Sequence, residues 1–148
     1  MAKFHPYLNF AGNTEEAFNF YKSVFGGEFG LIMRFGEMQD QPGCESPTEL
    51  SEEDKTKIMH IALPIGDGRM LMATDSLESM GQKLVVGNNS YIYLECESRD
   101  EADNLFNGLS DGGTVEMPMG DTFWGAYFGC FADKFGVKWM VSHDQGQQ

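Results

Sequence analysis

Positive charge, cysteine, proline and long apolar runs are all scarce in this chain of 148 residues. Only 10 Lys and Arg stand against 23 Asp and Glu, which gives a formal net charge of −13. Nucleic-acid binding needs clustered cations that neutralise phosphates, and docking on an anionic membrane needs cations too, so we expect neither partner. The acidic balance is typical of a well-solvated protein surface.

The three cysteines, Cys44, Cys96 and Cys130, are odd in number and widely spaced, and no Cys-x-x-Cys pair occurs. This usage predicts reduced thiols rather than a disulfide framework or a zinc knuckle. The first residues lack the apolar segment of a secretory signal, and no apolar run approaches the ~18 residues that span a bilayer. We therefore expect a cytoplasmic protein.

Apolar side chains are nevertheless plentiful. Hydrophobic residues make up 41% of the chain and aromatic residues 13%, including twelve Phe. This content supports a packed core and argues against global disorder. The length suits one well-buried domain and is short for two, so we expect a single domain over residues 1–148.

A strand and a helix open the chain. Residues 4–10 predict the strand, and Asn13-Thr14-Glu15-Glu16 offers a side-chain cap for the helix. Gly26-Gly27 ends that helix, because glycine readily adopts the left-handed conformation found at helix ends. The apolar face recurs at three- and four-residue steps and consists of Ala17, Phe20, Tyr21, Val24 and Phe25.

Three further strands are predicted at residues 31–35, 57–65 and 69–74. The last two form a hairpin, because Gly66-Asp67-Gly68 between them is a good turn sequence. Residues 39–54 are polar and read as an excursion with one helical turn after Ser51.

The same order then repeats. A strand at 91–96 precedes a capping sequence at Ser98–Glu101, and a helix follows whose apolar face is Ala102, Leu105, Phe106 and Leu109. Three more strands are predicted at 114–117, 123–132 and 137–142. The chain thus reads as two βαβββ modules, at about 1–77 and 88–148, in an α+β fold.

The C-terminal motifs resemble the closing hairpin of the PhnB-like branch of the vicinal-oxygen-chelate superfamily of glyoxalases, bleomycin-resistance proteins and dioxygenases. They are Asp121-Thr122-Phe123-Trp124-Gly125, Phe128-Gly129 and Asp133-Lys134-Phe135-Gly136-Val137-Lys138-Trp139. The resemblance covers essentially the whole chain. It implies two modules that pair into a curved mixed sheet around a cavity for a small molecule, and a homodimer. The family also carries the label 3-demethylubiquinone-9 3-methyltransferase-like, but no glycine-rich loop in a doubly wound pattern supports a methyltransferase site.

Metal-using members of the family take four ligands from the first and fourth strands of both modules. By resemblance these positions fall on His5, on Met72 or a neighbour, on residues 90–92, and on Met140. Only His5 is a plausible ligand, because thioethers are poor partners for hard divalent ions. The family's metal set is therefore not expected, and the catalytic residues stay unassigned.

Three functions remain open, one of which is a non-catalytic dimerisation module in which a second copy covers the open edge strands. Of the other two, the first is a small-molecule-binding protein without a cofactor. The second is a divalent-metal-dependent isomerase, lyase or oxygenase in which His5, His60 and a carboxylate such as Glu95 hold the metal. Each histidine could equally be a hydrogen-bonded residue at a strand end. The candidate ligand-binding residues are His5, His60, Asp75, Phe123, Trp124 and Tyr127.

Overall fold

Two compact units, Met1–Val85 and Val86–Gln148, make up the chain in a computed structural model that describes residues 2–39 and 50–145. The elements of the first unit are β1 (Tyr7–Phe10), α1 (Thr14–Phe25), β2 (Leu31–Arg34), α2 (Phe35–Gln39), α3 (Glu52–Lys55), β3 (Ile58–Gly66), β4 (Arg69–Asp75) and a 3₁₀ turn at Glu78–Met80. Those of the second are β5 (Ile92–Glu95), α4 (Arg99–Ser110), β6 (Thr114–Asp121), β7 (Ala126–Ala132) and β8 (Lys138–Asp144).

Each unit contains a four-stranded mixed sheet, with order β1-β4-β3-β2 in the first and β5-β8-β7-β6 in the second. In both, the first and fourth strands of the module are parallel neighbours and the other pairs are antiparallel. The α+β class and the two βαβββ modules are therefore confirmed. That the two units form a single domain stays a prediction.

Helix α1 packs on β3 and β4 of the first sheet. It buries Ala17, Phe18 and Tyr21, and the ring of Phe18 meets Phe10 edge-on at 6.4 Å between centroids. The predicted face was wrong in detail, because Phe20 is only partly buried. Apolar residues lie on several sides of this helix, so spacing alone does not determine which side faces the sheet.

The N-terminus of α1 is capped by Asp75, which ends β4. The side chain of Asn13 makes no capping hydrogen bond, so the predicted cap was wrong. Instead Oδ1 of Asp75 accepts hydrogen bonds from the N–H groups of Gly12 and Thr14, each at 3.0 Å, and from Oγ1 of Thr14 at 2.6 Å. Oδ2 accepts from the N–H of Ile58 at 2.8 Å. Asp75 is 1% exposed, and one carboxylate thus joins three segments.

The second unit has the same order of helix and strands, but its helix is capped by a residue adjacent to it in sequence. Ser98 caps α4 by accepting a hydrogen bond from the N–H of Glu101 at 3.0 Å, as predicted. Helix α4 buries Ala102, Phe106 and Leu109. The Phe106 ring lies so close to β7 that a Cβ added to Gly129 would approach its Cε2 to 2.9 Å. Glycine is therefore required at that position.

The predicted turns and strand ends agree with the structure at some positions and differ at others. The hairpin at Gly66-Asp67-Gly68 is confirmed, with Asp67 at φ 56°. The turn after Ser51 is confirmed as α3, whereas α2 was not predicted. Strand β7 begins at Ala126 rather than at residue 123.

Cys44 lies outside the described residues. Within that described part of the chain, no helix combines the length and apolar character needed to cross a membrane.

We expect Asp75→Ala to lower the free energy of unfolding by about 3 kcal/mol, because it leaves buried N–H groups of two segments without an acceptor. Ser98→Ala should cost about 1 kcal/mol, since it removes one partly solvated cap. Urea denaturation followed by circular dichroism measures both. Equal costs for the two variants would show that the Asp75 contacts are dispensable.

Candidate functional site

The first sheet has one face under α1 and an opposite face, which we call the first open face. Side chains alternate along strands, and Phe10, Ile61 and Ala73 point towards the helix. Register places Tyr7 opposite Met72 and Met33 opposite His60. The first open face consists of Tyr7, Asn9, Met33, His60, Met72 and Thr74.

A tyrosine–histidine pair lies at the centre of this face. The hydroxyl of Tyr7 lies 3.4 Å from Nδ1 of His60, and the two ring centroids are 5.7 Å apart. Tyr7 is 47% exposed, so the pair is accessible. Met33 and Met72, each opposite one member of the pair, add flexible thioether side chains. The arrangement offers hydrogen-bonding groups within an adaptable apolar surface.

His5 precedes β1 and makes a different contact from His60. Its Nδ1 accepts a hydrogen bond from the N–H of Met70 at 3.0 Å. Within residues 2–39 and 50–145, no three His, Cys, Asp or Glu side chains come together as a group that could hold a metal ion. The set of His5, His60 and Glu95 therefore stays a prediction. The four ligand positions of metal-using members of the family do not fit a divalent metal in this chain, because Met72 and Met140 supply thioethers at two of them.

Two candidates, Asp75 and Tyr127, lie on the helix sides of their sheets. The carboxylate of Asp75 is occupied by the hydrogen bonds described above. The hydroxyl of Tyr127 donates to Oδ1 of Asp103 in α4 at 2.6 Å, and this hydrogen bond raises the pKa of Tyr127. The guanidinium of Arg99 lies 3.8 Å from the centre of the Tyr127 ring. Ligand contact by either residue stays a prediction.

Phe123 and Trp124 lie in the turn between β6 and β7, not in a strand. They are 97% and 53% exposed, so neither is a core residue. Their rings meet edge-on at 5.0 Å, and Trp124 reaches Phe128 at 6.3 Å. Such exposure of two large aromatic side chains favours contact with a ligand or with a protein partner.

The second sheet has an open face of its own, on the side opposite α4. Phe131 touches Phe106 of α4, so its neighbour Cys130 points the other way. Register places Met140 opposite both Tyr93 and Cys130. Register also places Glu95 opposite Ser142 on this side. The second open face includes Tyr91, Tyr93, Glu95, Glu116, Phe128, Cys130, Lys138, Met140 and Ser142.

An ionic cluster on this face was missed by the sequence analysis. The carboxylate of Glu116 accepts hydrogen bonds from Nζ of Lys138 and from the hydroxyl of Tyr91, both at 2.6 Å. The Lys138 hydrogen bond, followed by that of Tyr91, lowers the pKa of Glu116. Donation to Glu116 likewise raises the pKa values of Lys138 and Tyr91. The pair is therefore held in its ionised form.

A groove of about 590 Å³ lies on the first unit, beside the N-terminus of α1. None of the predicted site residues lines it. Its walls carry charges of both signs, and Nζ of Lys57 donates to the carbonyl of Gly12 at 3.1 Å. The lining residues are Ala11, Gly12, Asn13, Glu53, Asp54, Lys57, Ser76, Leu77, Glu78, Ser79, Gln82, Lys83 and Leu84.

Comparison with known proteins agrees with this architecture. The family model described as the Glyoxalase/Bleomycin resistance protein/Dioxygenase superfamily matches residues 3–141. Protein YjdN of Escherichia coli (strain K12) is 33% identical over 143 residues, which cover 93% of this chain and 92% of YjdN.

Two solved structures are similar over nearly their full length. The crystal structure of protein PA1353 from Pseudomonas aeruginosa has a TM-score of 0.81 at 40% identity, covering 98% of this chain and 99% of its own. A Bacillus cereus structure, named a putative 3-demethylubiquinone-9 3-methyltransferase, PhnB protein, has a TM-score of 0.71 at 29% identity and covers 96% and 99%.

Burial controls the two cysteines that the structure describes. It raises the pKa of Cys96 to about 11 and also raises that of Cys130. At pH 8 a thiol with a pKa of about 11 is ionised in only about one molecule per thousand, because each pH unit changes the thiolate ratio tenfold. In a Cys44→Ser background we expect negligible reaction with Ellman's reagent at pH 8 and full reaction of both thiols in 6 M guanidinium. Rapid labelling of the native protein would contradict the buried positions.

Proposed function

This chain belongs to the glyoxalase/bleomycin resistance protein/dioxygenase superfamily, and from that premise we propose that it binds a small organic molecule on the open faces of its sheets. The observation that carries the proposal is the accessible Tyr7–His60 pair, with methionines opposite both members. Small-molecule sites combine a mainly apolar lining with a few polar groups that orient the ligand. The first open face has this composition.

Binding without a metal is the primary proposal because the chain's donors do not fit the family's quartet. The alternative is a metal-dependent isomerase, lyase or oxygenase with His5 and His60 as ligands. Such a metal, when bound, would act as a Lewis acid towards substrate oxygens. His5 would then have to give up the hydrogen bond that its Nδ1 accepts from Met70, whereas His60 could coordinate through Nε2 while Nδ1 keeps its contact with Tyr7.

The methyltransferase label belongs to the Bacillus cereus protein and gains no support from this chain. Methyl-donor sites of the usual kind follow a glycine-rich loop in a doubly wound parallel sheet. Both sheets here are mixed, and among the strands of the described residues only one pair in each sheet is parallel. We also propose a cytoplasmic location, since Cys96 and Cys130 are free thiols.

N-phenyl-1-naphthylamine, a neutral fluorescent probe, tests binding at the first open face. We expect Met33→Asp to weaken its binding at least about tenfold, because a carboxylate at an apolar contact must be desolvated. Ile32→Asp is the matched control: Ile32 is the adjacent β2 residue, is 41% exposed and points to the helix side. Fluorescence titration measures both variants.

Equal losses in the two variants, or no binding to the unaltered chain, would contradict the proposal. Elemental analysis of protein purified without an affinity tag distinguishes the alternative. Stoichiometric divalent metal that is lost in His60→Ala would support the metal-dependent enzyme instead.

We further propose that the chain forms a homodimer through the exposed turn of Phe123 and Trp124. Aromatic side chains are enriched at protein interfaces because they combine large apolar area with little conformational freedom. Val115 and Met117 of the edge strand β6, which leads into this turn, are also exposed.

We expect the double variant Phe123→Ser, Trp124→Ser to elute as a monomer under conditions in which the unaltered chain is a dimer. Size-exclusion chromatography with light scattering gives the masses. Phe4→Ser is the control, since Phe4 is an equally prominent exposed aromatic residue in the other unit. A double variant that remains dimeric would place the interface elsewhere.

A further inference from the structure

The second open face carries an ion pair that bridges two non-adjacent strands. Glu116 comes from β6 and Lys138 from β8, and β7 lies between these strands. The side chains of Lys138 and Glu116 are 16% and 30% exposed, so solvent still reaches both. An ion pair that keeps contact with water adds little net stability, because water screens the attraction and two long side chains must be ordered. Partly buried charges of this kind are frequent at functional sites.

The Lys138 ammonium keeps unused hydrogen-bonding capacity in this cluster. The Glu116 carboxylate receives Lys138, the hydroxyl of Tyr91, and a weak contact from Sγ of Cys130 at 3.8 Å. The Lys138 ammonium has three N–H donors, of which one is directed at Glu116 and a second at the hydroxyl oxygen of Tyr91. An N–H donor of the Lys138 ammonium therefore remains available. A ligand here would supply an oxygen acceptor.

Apolar side chains follow Lys138 along the same face. Met140 is the next residue on that side of β8, and Tyr93 lies opposite it on β5. Phe128 lies on the same side of β7, two residues before Cys130. A ligand that contacts these side chains and also reaches Nζ must join an apolar body to an oxygen-bearing polar group.

We propose that the second open face binds an amphipathic organic anion, with its carboxylate or similar oxyanion on Nζ of Lys138 and its apolar part over Met140, Tyr93 and Phe128. This inference rests on the proposed small-molecule function and adds the ligand's charge class. Because the chain carries a net charge of −13, the protein as a whole repels anions. Among the described residues of this face, Lys138 is the cation on which anion binding would therefore depend.

Two fluorescent probes with a shared skeleton test the proposal. 8-Anilinonaphthalene-1-sulfonate carries an anionic group, and N-phenyl-1-naphthylamine lacks it. Lys138→Met keeps the length of the side chain and removes its charge. We expect this variant to weaken binding of the sulfonate at least about tenfold, which is the loss expected for a hydrogen bond to a charged group. Binding of the neutral probe should change by less than about twofold.

Glu116→Gln provides the opposite test. It removes the carboxylate that competes for Lys138, so the sulfonate should bind several-fold more tightly. Lys134→Met is the control for net charge, since Lys134 lies exposed in the turn between β7 and β8. Thermal unfolding checks that each variant is folded. If Lys138→Met does not fold, the Glu116→Gln result decides, and unchanged or weaker sulfonate binding overturns the proposal.

Equal effects of Lys138→Met and Lys134→Met would also overturn it, because they would reflect overall charge and not a contact. If the unaltered chain binds the neutral probe but not the sulfonate, the anion site is wrong and the small-molecule function stands. If it binds neither probe, both proposals fail.

Discussion

The carboxylate of Asp75 holds the first unit together. Its two oxygens receive hydrogen bonds from the loop before α1, from the first residue of α1 and from the start of β3. A negative charge at the N-terminus of α1 also complements the helix dipole. The contact is possible because β1 and β4 are parallel neighbours, with Phe10 opposite Asp75, so β4 ends where α1 is about to begin. One buried acidic residue thus sets the position of the helix relative to the sheet.

The second unit reaches the same topology by other means. The helix-side position of β8 that matches Asp75 is His143, opposite Tyr127, and its Nδ1 lies 2.9 Å from the carbonyl oxygen of Cys96. The helix is capped locally by Ser98, and a buried carboxylate appears instead at Asp133, whose Oδ2 accepts a hydrogen bond from Nε1 of the buried Trp139 at 2.9 Å. Repetition of topology does not require repetition of the polar contacts. As a result the two open faces differ, one centred on a tyrosine–histidine pair and the other on an ion pair.

The fold was predictable because its signals are local. The Ser98–Glu101 cap, the turn around Asp67 and the repeated order of helix and strands all depend on residues close together in sequence. The features that the sequence did not predict depend on contacts between residues far apart in the chain. The α1 cap joins residues 61 positions apart, and the cluster on the second open face joins Glu116 to Tyr91, 25 positions away. The order of strands in each sheet brings these groups together, and the spacing of residues along the sequence does not predict that order.

Strand β6 has a further consequence for how copies of the chain can meet. It lies at the edge of its sheet, and its pairing with β7 shifts register on both sides of Met117. Pro118, within this irregular stretch, has no N–H to offer another strand. A regular ladder of main-chain hydrogen bonds along this edge is therefore interrupted in its middle. Sheet extension from molecule to molecule, the usual start of fibrous aggregation, is disfavoured here, and association at β6 is left to side chains.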